Sequence, residues 1–139
     1  MEYYFVLTGG TEEMSDVFIT ESILYAGVFD GTLDLFESQY PVPKGVTYNS
    51  YLIEDEKVAV MDTVDARGTD AWFENLDRLL AGRSADYLVI SHMEPDHAAN
   101  IGRFALKYPE AKLLGNAKTF GMINQFYDLD LEVRTVVVR

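Results

Sequence analysis

One short stretch constrains this chain more than any other. Tyr87-Leu88-Val89-Ile90 is a continuous apolar run, and the polar loop Ser91-His92-Met93-Glu94-Pro95-Asp96-His97 follows it at once. A strand that is apolar at every position reads as a central strand, buried on both faces. Such a sheet needs helices on its outer faces, and the loops at its strand ends are where sites are built. The surrounding pattern agrees. Residues 23–28 form a strand rich in β formers, closed by the Asp30-Gly31 turn signal. Residues 40–45 read as a loop, because Pro41 and Pro43 have no place inside a ladder. Residues 47–53 alternate polar and apolar, turn at Glu54-Asp55-Glu56 and form a hairpin with residues 57–61. Residues 70–80 place Trp72, Phe73, Leu76, Leu79 and Leu80 at helical spacing, with Gly82 as the stop. A helix over 98–108 ends before Pro109, a strand follows at 112–115, a helix at 117–126 and a last strand at 134–138. Residues 3–7 read as a short strand or tail, and residues 8–13 as a turn. Strands and hairpins come first, then helix and strand alternate. The fold class is α/β (α+β), a mixed sheet with flanking helices.

A length of 139 residues suits one domain. With no cysteine there is no disulfide, thiolate metal site, iron–sulfur cluster or cysteine nucleophile. Eleven basic against 23 acidic residues give a net charge of −12, which repels nucleic acid and anionic membrane surfaces. No run approaches the ~20 apolar residues of a membrane span, and Met1-Glu2-Tyr3 lacks a basic signal region, so the expected location is cytoplasmic.

The chemistry lies in the loop after the apolar strand. His92, Glu94, Asp96 and His97 are four potential metal ligands within six residues. Pro95 stiffens the turn, which can aim His92 and Glu94 one way and Asp96 and His97 another, toward two adjacent ions. The plainer alternative makes Asp96 the N-cap of the following helix and His97 a surface residue. Imidazole and carboxylate ligands without thiolate suit iron, manganese or zinc, and the hard oxygen of Glu94 shifts the preference toward iron or manganese.

At this point the sequence resembles a family. His92-x-Glu94-x-Asp96-His97 looks like the metal motif of flavodiiron proteins, the A-type flavoproteins of the metallo-β-lactamase-like superfamily. Hydrolases of that superfamily mostly carry histidine where this chain has Glu94. Residues 34–51, Asp62-Thr63-Val64-Asp65, residues 92–101 and residues 115–120 are also similar to the family, and the likeness runs over 17–139. Residues 1–16 stay unassigned. The resemblance implies an αββα sandwich with a non-haem diiron centre, followed by a flavodoxin-like domain that binds FMN. It implies reduction of dioxygen to water or of nitric oxide to nitrous oxide, with a rubredoxin-type electron donor. It assigns His92 and Glu94 to one iron, sets Asp96 and His97 toward the other, and gives Asp62 a supporting role.

The family's site also needs two further histidines and a bridging aspartate, and His92 and His97 are the only histidines among these residues. Neither the second half of the sandwich nor an FMN-binding loop is legible. The chain is therefore expected to be the N-terminal part of a diiron domain, inactive alone and prone to self-association or dependent on a missing C-terminal part. Two other readings stand beside this one: a metal-dependent hydrolase of the same superfamily, and a non-enzymatic interaction module.

Overall fold

The computed structural model describes residues 16–127 and 134–139. The expectations for residues 3–7 and 8–13 fall outside them. The strands are β1 (Phe18–Thr20), β2 (Ile23–Tyr25), β3 (Val28–Asp30), β4 (Leu35–Phe36), β5 (Tyr40–Pro41), β6 (Val46–Tyr48), β7 (Tyr51–Glu54), β8 (Val58–Met61), β9 (Tyr87–Val89), β10 (Lys112–Gly115) and β11 (Thr135–Val137). The helices are α1 (Thr69–Leu80), α2 (Pro95–Ala98), α3 (Ile101–Lys107) and α4 (Ala117–Phe126), with a 3₁₀ turn at Ala66–Gly68.

Seven strands form one mixed sheet in the order β1-β2-β7-β8-β9-β10-β11. The first four pair antiparallel. From β8 through β11 the pairing is parallel. The change at β8 follows from its connection: α1 lies between β8 and β9 and returns the chain to the same end of the sheet. Two small antiparallel ladders, β3 with β6 and β4 with β5, lie outside this sheet.

Register explains where the core sits. Leu24, Leu52, Val60, Leu88 and Leu113 are successive cross-strand partners and therefore share one face. All five are buried, together with Trp72, Leu76, Leu79 and Leu80 of α1 and Ile101, Phe104 and Ala105 of α3. The Trp72 and Phe104 rings lie 6.1 Å apart between centroids. The opposite face carries Tyr51, Ile53, Ala59, Met61, Tyr87, Val89 and Leu114, all half-buried. The expectation that β9 is buried on both sides is thus corrected: Leu88 is enclosed, while Tyr87 and Val89 keep partial exposure.

Other expectations also change in detail. The strand expected over 23–28 is two strands in different sheets. The chain leaves the main sheet at Ala26-Gly27, where a Cβ on Gly27 would lie 2.4 Å from both the Tyr25 ring and the Tyr48 carbonyl oxygen. The alternating run 47–53 is likewise split, so β6 pairs with β3 and only β7 forms the hairpin with β8. Pro41, expected in a loop, lies opposite Leu35 in a two-residue ladder. That is possible because both strands of a two-stranded ladder are edges, where a missing N–H can face outward. Helix α1 matches its prediction and closes through Ala81, which takes the left-handed conformation ahead of Gly82.

Candidate metal centre

Strands β8 and β9 run parallel side by side, so their C-terminal ends open at the same edge, and the polar loop begins there. The last residue before the β8 connection is Asp62, in the left-handed region at φ 56°. A non-glycine residue at such φ stores strain, although aspartate tolerates it better than most. Four bonds hold it there. Its N–H donates to the Val89 carbonyl at 2.9 Å. Its carbonyl accepts from Ser50 Oγ at 2.9 Å. Its carboxylate accepts from the Ser91 N–H at 2.7 Å and also from the Ser91 hydroxyl. The strained residue thereby ties the end of β8 to the first residue of the loop.

A second set of bonds holds the far end of the loop. The His97 carbonyl accepts from the Thr63 N–H at 2.9 Å and from Thr63 Oγ1 at 2.8 Å. Asn100, buried, donates its side-chain amide to the Val64 carbonyl at 2.9 Å and accepts from Thr69 Oγ1 at 2.8 Å. Tyr127 donates its hydroxyl to the Ala98 carbonyl at 2.5 Å. These contacts interrupt the helix expected over 98–108. It starts early, at Pro95, breaks at Ala99-Asn100 and resumes as α3. Proline suits this start because its missing N–H falls in the first turn. The N-cap position belongs to Glu94, with no side-chain cap bond, and Asp96 lies within the first turn. The reading of Asp96 as an N-cap is therefore corrected, and both carboxylates are free of capping duty.

The four expected ligands come together as two pairs. His92 Nε2 lies 3.2 Å from a Glu94 carboxylate oxygen. His97 Nε2 lies 3.5 Å from an Asp96 oxygen, and its Nδ1 lies 3.3 Å from Asp62 Oδ2. The two imidazole rings are 5.4 Å apart between centroids. His92 and Glu94 are about half exposed, while Asp96 and His97 are largely covered. Among the described residues, no three His, Cys, Asp or Glu side chains converge tightly enough to hold an ion. The donor set nonetheless fits two half-sites. Donor atoms of neighbouring ligands on one ion with bonds near 2.1 Å stand about 3 Å apart, close to the spacing within each pair. His97 Nδ1 is buried beside Asp62 without a hydrogen bond of good geometry.

Beside the loop lies a cavity of about 230 Å³. Asp96 and Pro95 form one side, and Leu33, Leu35 and Phe36 form an apolar wall. Asp30 ties together Arg67 and Tyr48, which also line the cavity. It accepts from Arg67 Nε at 2.6 Å, Tyr48 Oη at 2.9 Å and Thr32 Oγ1 at 2.8 Å. The Arg67 guanidinium holds the Asp30 carboxyl far below the usual carboxylate range, against the opposing effect of burial. Sequence reasoning did not find Ser50, Ser91, Thr63, Asn100 or the Asp30 cluster. Of these only Asn100 carried a signal, as an amide within the apolar pattern of a predicted helix.

No protein-family profile matches the chain. Individual relatives do. The flavo-diiron protein FprA2 of Clostridium acetobutylicum is 31% identical over 103 residues, covering 74% of this chain and 26% of that protein. The anaerobic nitric oxide reductase flavorubredoxin of Klebsiella pneumoniae is 32% identical over 109 residues, covering 78% of this chain and 23% of the relative. The chain is a homologue of the flavodiiron proteins. Solved structures agree. A flavodiiron protein from Giardia intestinalis superposes with a TM-score of 0.82 at 22% identity, over 94% of this chain and 31% of that one. Rubredoxin oxygen:oxidoreductase from the anaerobe Desulfovibrio gigas gives 0.79 at 28% identity, over 89% and 31%. The mixed sheet with flanking helices is that of the flavodiiron metallo-β-lactamase-like domain, in its N-terminal part. The chain spans about a quarter of the length of these curated relatives and about a third of the solved chains. No helix among the described residues is long and apolar enough to cross a membrane.

Proposed function

We propose that this chain forms the first part of a diiron centre in a flavodiiron oxidoreductase that reduces dioxygen to water, nitric oxide to nitrous oxide, or both. The observation that carries the reading is the pairing of His92 with Glu94 and of His97 with Asp96 at one strand end, held by Asp62. Bound iron would relay electrons delivered through FMN and would offer open coordination positions to a diatomic substrate.

The protein's part is to hold ligands in place. His92 and Glu94 serve one ion, and Asp96 and His97 face the other. Asp62 faces His97 Nδ1, which leaves Nε2 on the Asp96 side free to ligate. Ser91, bonded to Asp62, fixes the backbone just before His92. Four ligands do not complete a dinuclear site, so further ligands come from outside these 139 residues, as do FMN and the contact with a rubredoxin-type donor. On this reading the chain is inactive alone and works in the cytoplasm. The half-buried apolar face of the sheet is the surface that the remaining part, or a second copy, would cover.

Anaerobic reconstitution with ferrous iron tests this reading. The chain is expected to take up iron, and H92A/E94A and D96A/H97A are each expected to lower the uptake. No iron above a buffer blank overturns the loop's role. Tight zinc with esterase activity would instead favour a hydrolase.

A further inference from the structure

The main sheet ends at β1, which among the described residues has a neighbour on one side only. The Tyr25 N–H donates to the Val17 carbonyl at 2.8 Å, so the polar groups of Val17 face β2. By alternation, the N–H and carbonyl of Phe18 face outward. The side chains along this edge are apolar: Val17 is 44% exposed, Phe18 60% and Ile19 47%. Phe18 lies opposite Leu24 and so on the face that carries the core, beyond its rim. Proteins commonly guard such an edge with lysine, proline or a bulge. Strand β1 has a bulge between Phe18 and Thr20, while residues 16–21 contain neither lysine nor proline. Unpaired backbone beside exposed apolar side chains is the surface to which an extended segment adds.

The chain itself supplies an occupant. Tyr3-Tyr4-Phe5-Val6-Leu7 is an uncharged run rich in strand formers, and Gly9-Gly10 offers a turn just after it. The chain also enters β1 beside its open edge, where Arg78 of α1 holds the Asp16 carboxylate at 2.9 Å. Residues 8–15 span up to about 26 Å at ~3.3 Å per residue, against the ~4.8 Å between paired strands. They are too few for the crossover that a parallel pair needs, so the added strand is antiparallel. A second copy fits less well. A three-residue edge buries far less than the roughly 1,200 Å² of a stable interface, and two chains of charge −12 repel one another. A tethered segment escapes the first limit, because its effective concentration is on the order of millimolar. It escapes the second because residues 3–7 carry no charge.

We propose that residues 3–7 add to β1 as an antiparallel strand that caps the open edge of the sheet. The cap covers Phe18, pairs its outward N–H and carbonyl, and closes the edge to strands of other chains. Neither the cap nor its test involves the metal loop.

Nuclear magnetic resonance on the full isotope-labelled chain tests the cap. Cross-strand proton contacts are expected between residues 3–7 and Val17 or Phe18. In a mixture of labelled and unlabelled chains these contacts should stay within one chain. Proline at two adjacent positions, F5P/V6P, removes a ladder bond whichever way the added strand faces. It is expected to speed solvent exchange of the Phe18 amide about tenfold and to leave that of Leu88, in the central β9, unchanged. The conservative F5Y/V6I should keep the Phe18 amide protected. The contacts are read on the unaltered chain, so they decide the matter even if a variant fails to fold. Contacts between different chains would make a second copy the occupant and overturn the proposal. Absence of any contact between residues 3–7 and β1, or Phe18 exchange indifferent to F5P/V6P, overturns it as well.

Discussion

Replacing Ser50 with alanine tests how Asp62 is held. Ser50 is fully buried, and its hydroxyl does two things. It donates to the Asp62 carbonyl at 2.9 Å and accepts from Trp72 Nε1 at 2.9 Å. Alanine fits the same space but leaves an indole N–H and a carbonyl unpaired where no water reaches. An orphaned buried group costs about 1–3 kcal/mol, and the carbonyl stands at the lower end of that range. The sum is about 2–4 kcal/mol, a large share of the 5–15 kcal/mol typical of a domain. The melting temperature should fall by roughly 5–15 °C. Trp72 is the chain's single tryptophan and reports denaturant unfolding directly by fluorescence. A double-mutant cycle with W72F, followed by circular dichroism, separates the two partners. In that background S50A should cost about 1–2 kcal/mol less, because no indole N–H is left to orphan. A loss under about 0.5 kcal/mol, or the same loss in both backgrounds, would refute the reasoning.

The other expectations are shorter. N100A removes the bonds to Val64 and Thr69, and should cost about 2–4 kcal/mol by chemical denaturation; a neutral result would mean that the α2–α3 break does not depend on the amide. Y108F should be neutral or stabilise by up to about 1 kcal/mol, since the Tyr108 hydroxyl is buried without a partner. Burial, then the charge of Asp77, pushes that phenol up to about 12, so the group leaves stability independent of pH below 10 and lowers it as pH rises from 10 toward 12. Ultraviolet titration should show Tyr108 among several tyrosines that ionise late, with Tyr48 and Tyr127, and Y108F should remove one of them. For Asp30 the sign is opposite. Its lowered pKa means that stability is present above about pH 4 and lost as pH falls below it. The stability gap between the unaltered chain and D30N should be widest near neutrality and narrow in acid; a gap independent of pH would contradict the Arg67–Asp30 account.

The sequence carried the elements better than their partnerships. Helix α1 was legible because its apolar spacing has a period that only a helix satisfies, and the β7–β8 hairpin because alternation and a charged turn coincide. The splitting of runs 23–28 and 47–53 between two sheets was not legible. Run 23–28 is rich in β formers and run 47–53 reads as alternating, and the reason for the break is tertiary: Gly27 lets the Tyr48 carbonyl approach where no side chain would fit. Pro41 misled for a related reason. The rule against proline in a ladder assumes neighbours on both sides, and β5 has one. The apolar run at 87–90 announced a central strand, and β9 is central. Composition cannot say that one of its faces would be covered less completely than the other.

The site divides the same way. Ligand types crowd into residues 92–97 in the sequence itself, because one rigid loop must present several donors at once. What holds them is scattered: Ser50, the adjacent Asp62 and Thr63, Ser91 and Asn100 lie on four separate connections and meet only when β8 and β9 lie side by side. Asp62 joins both classes. Its carboxylate faces His97, its carbonyl is tied to Ser50, and its backbone is held at a φ that other conformations would relieve. Glycine there would release the strain and discard the carboxylate. Asparagine would keep the tolerance for that φ and lose the charge. The two changes therefore separate shape from charge at one atom group. If Asp62 acts through its charge, D62N should retain most of the stability and still lose iron uptake, whereas D62G should lose both. Equal uptake by D62N and the unaltered chain would reduce Asp62 to a backbone device that fixes the loop's entry.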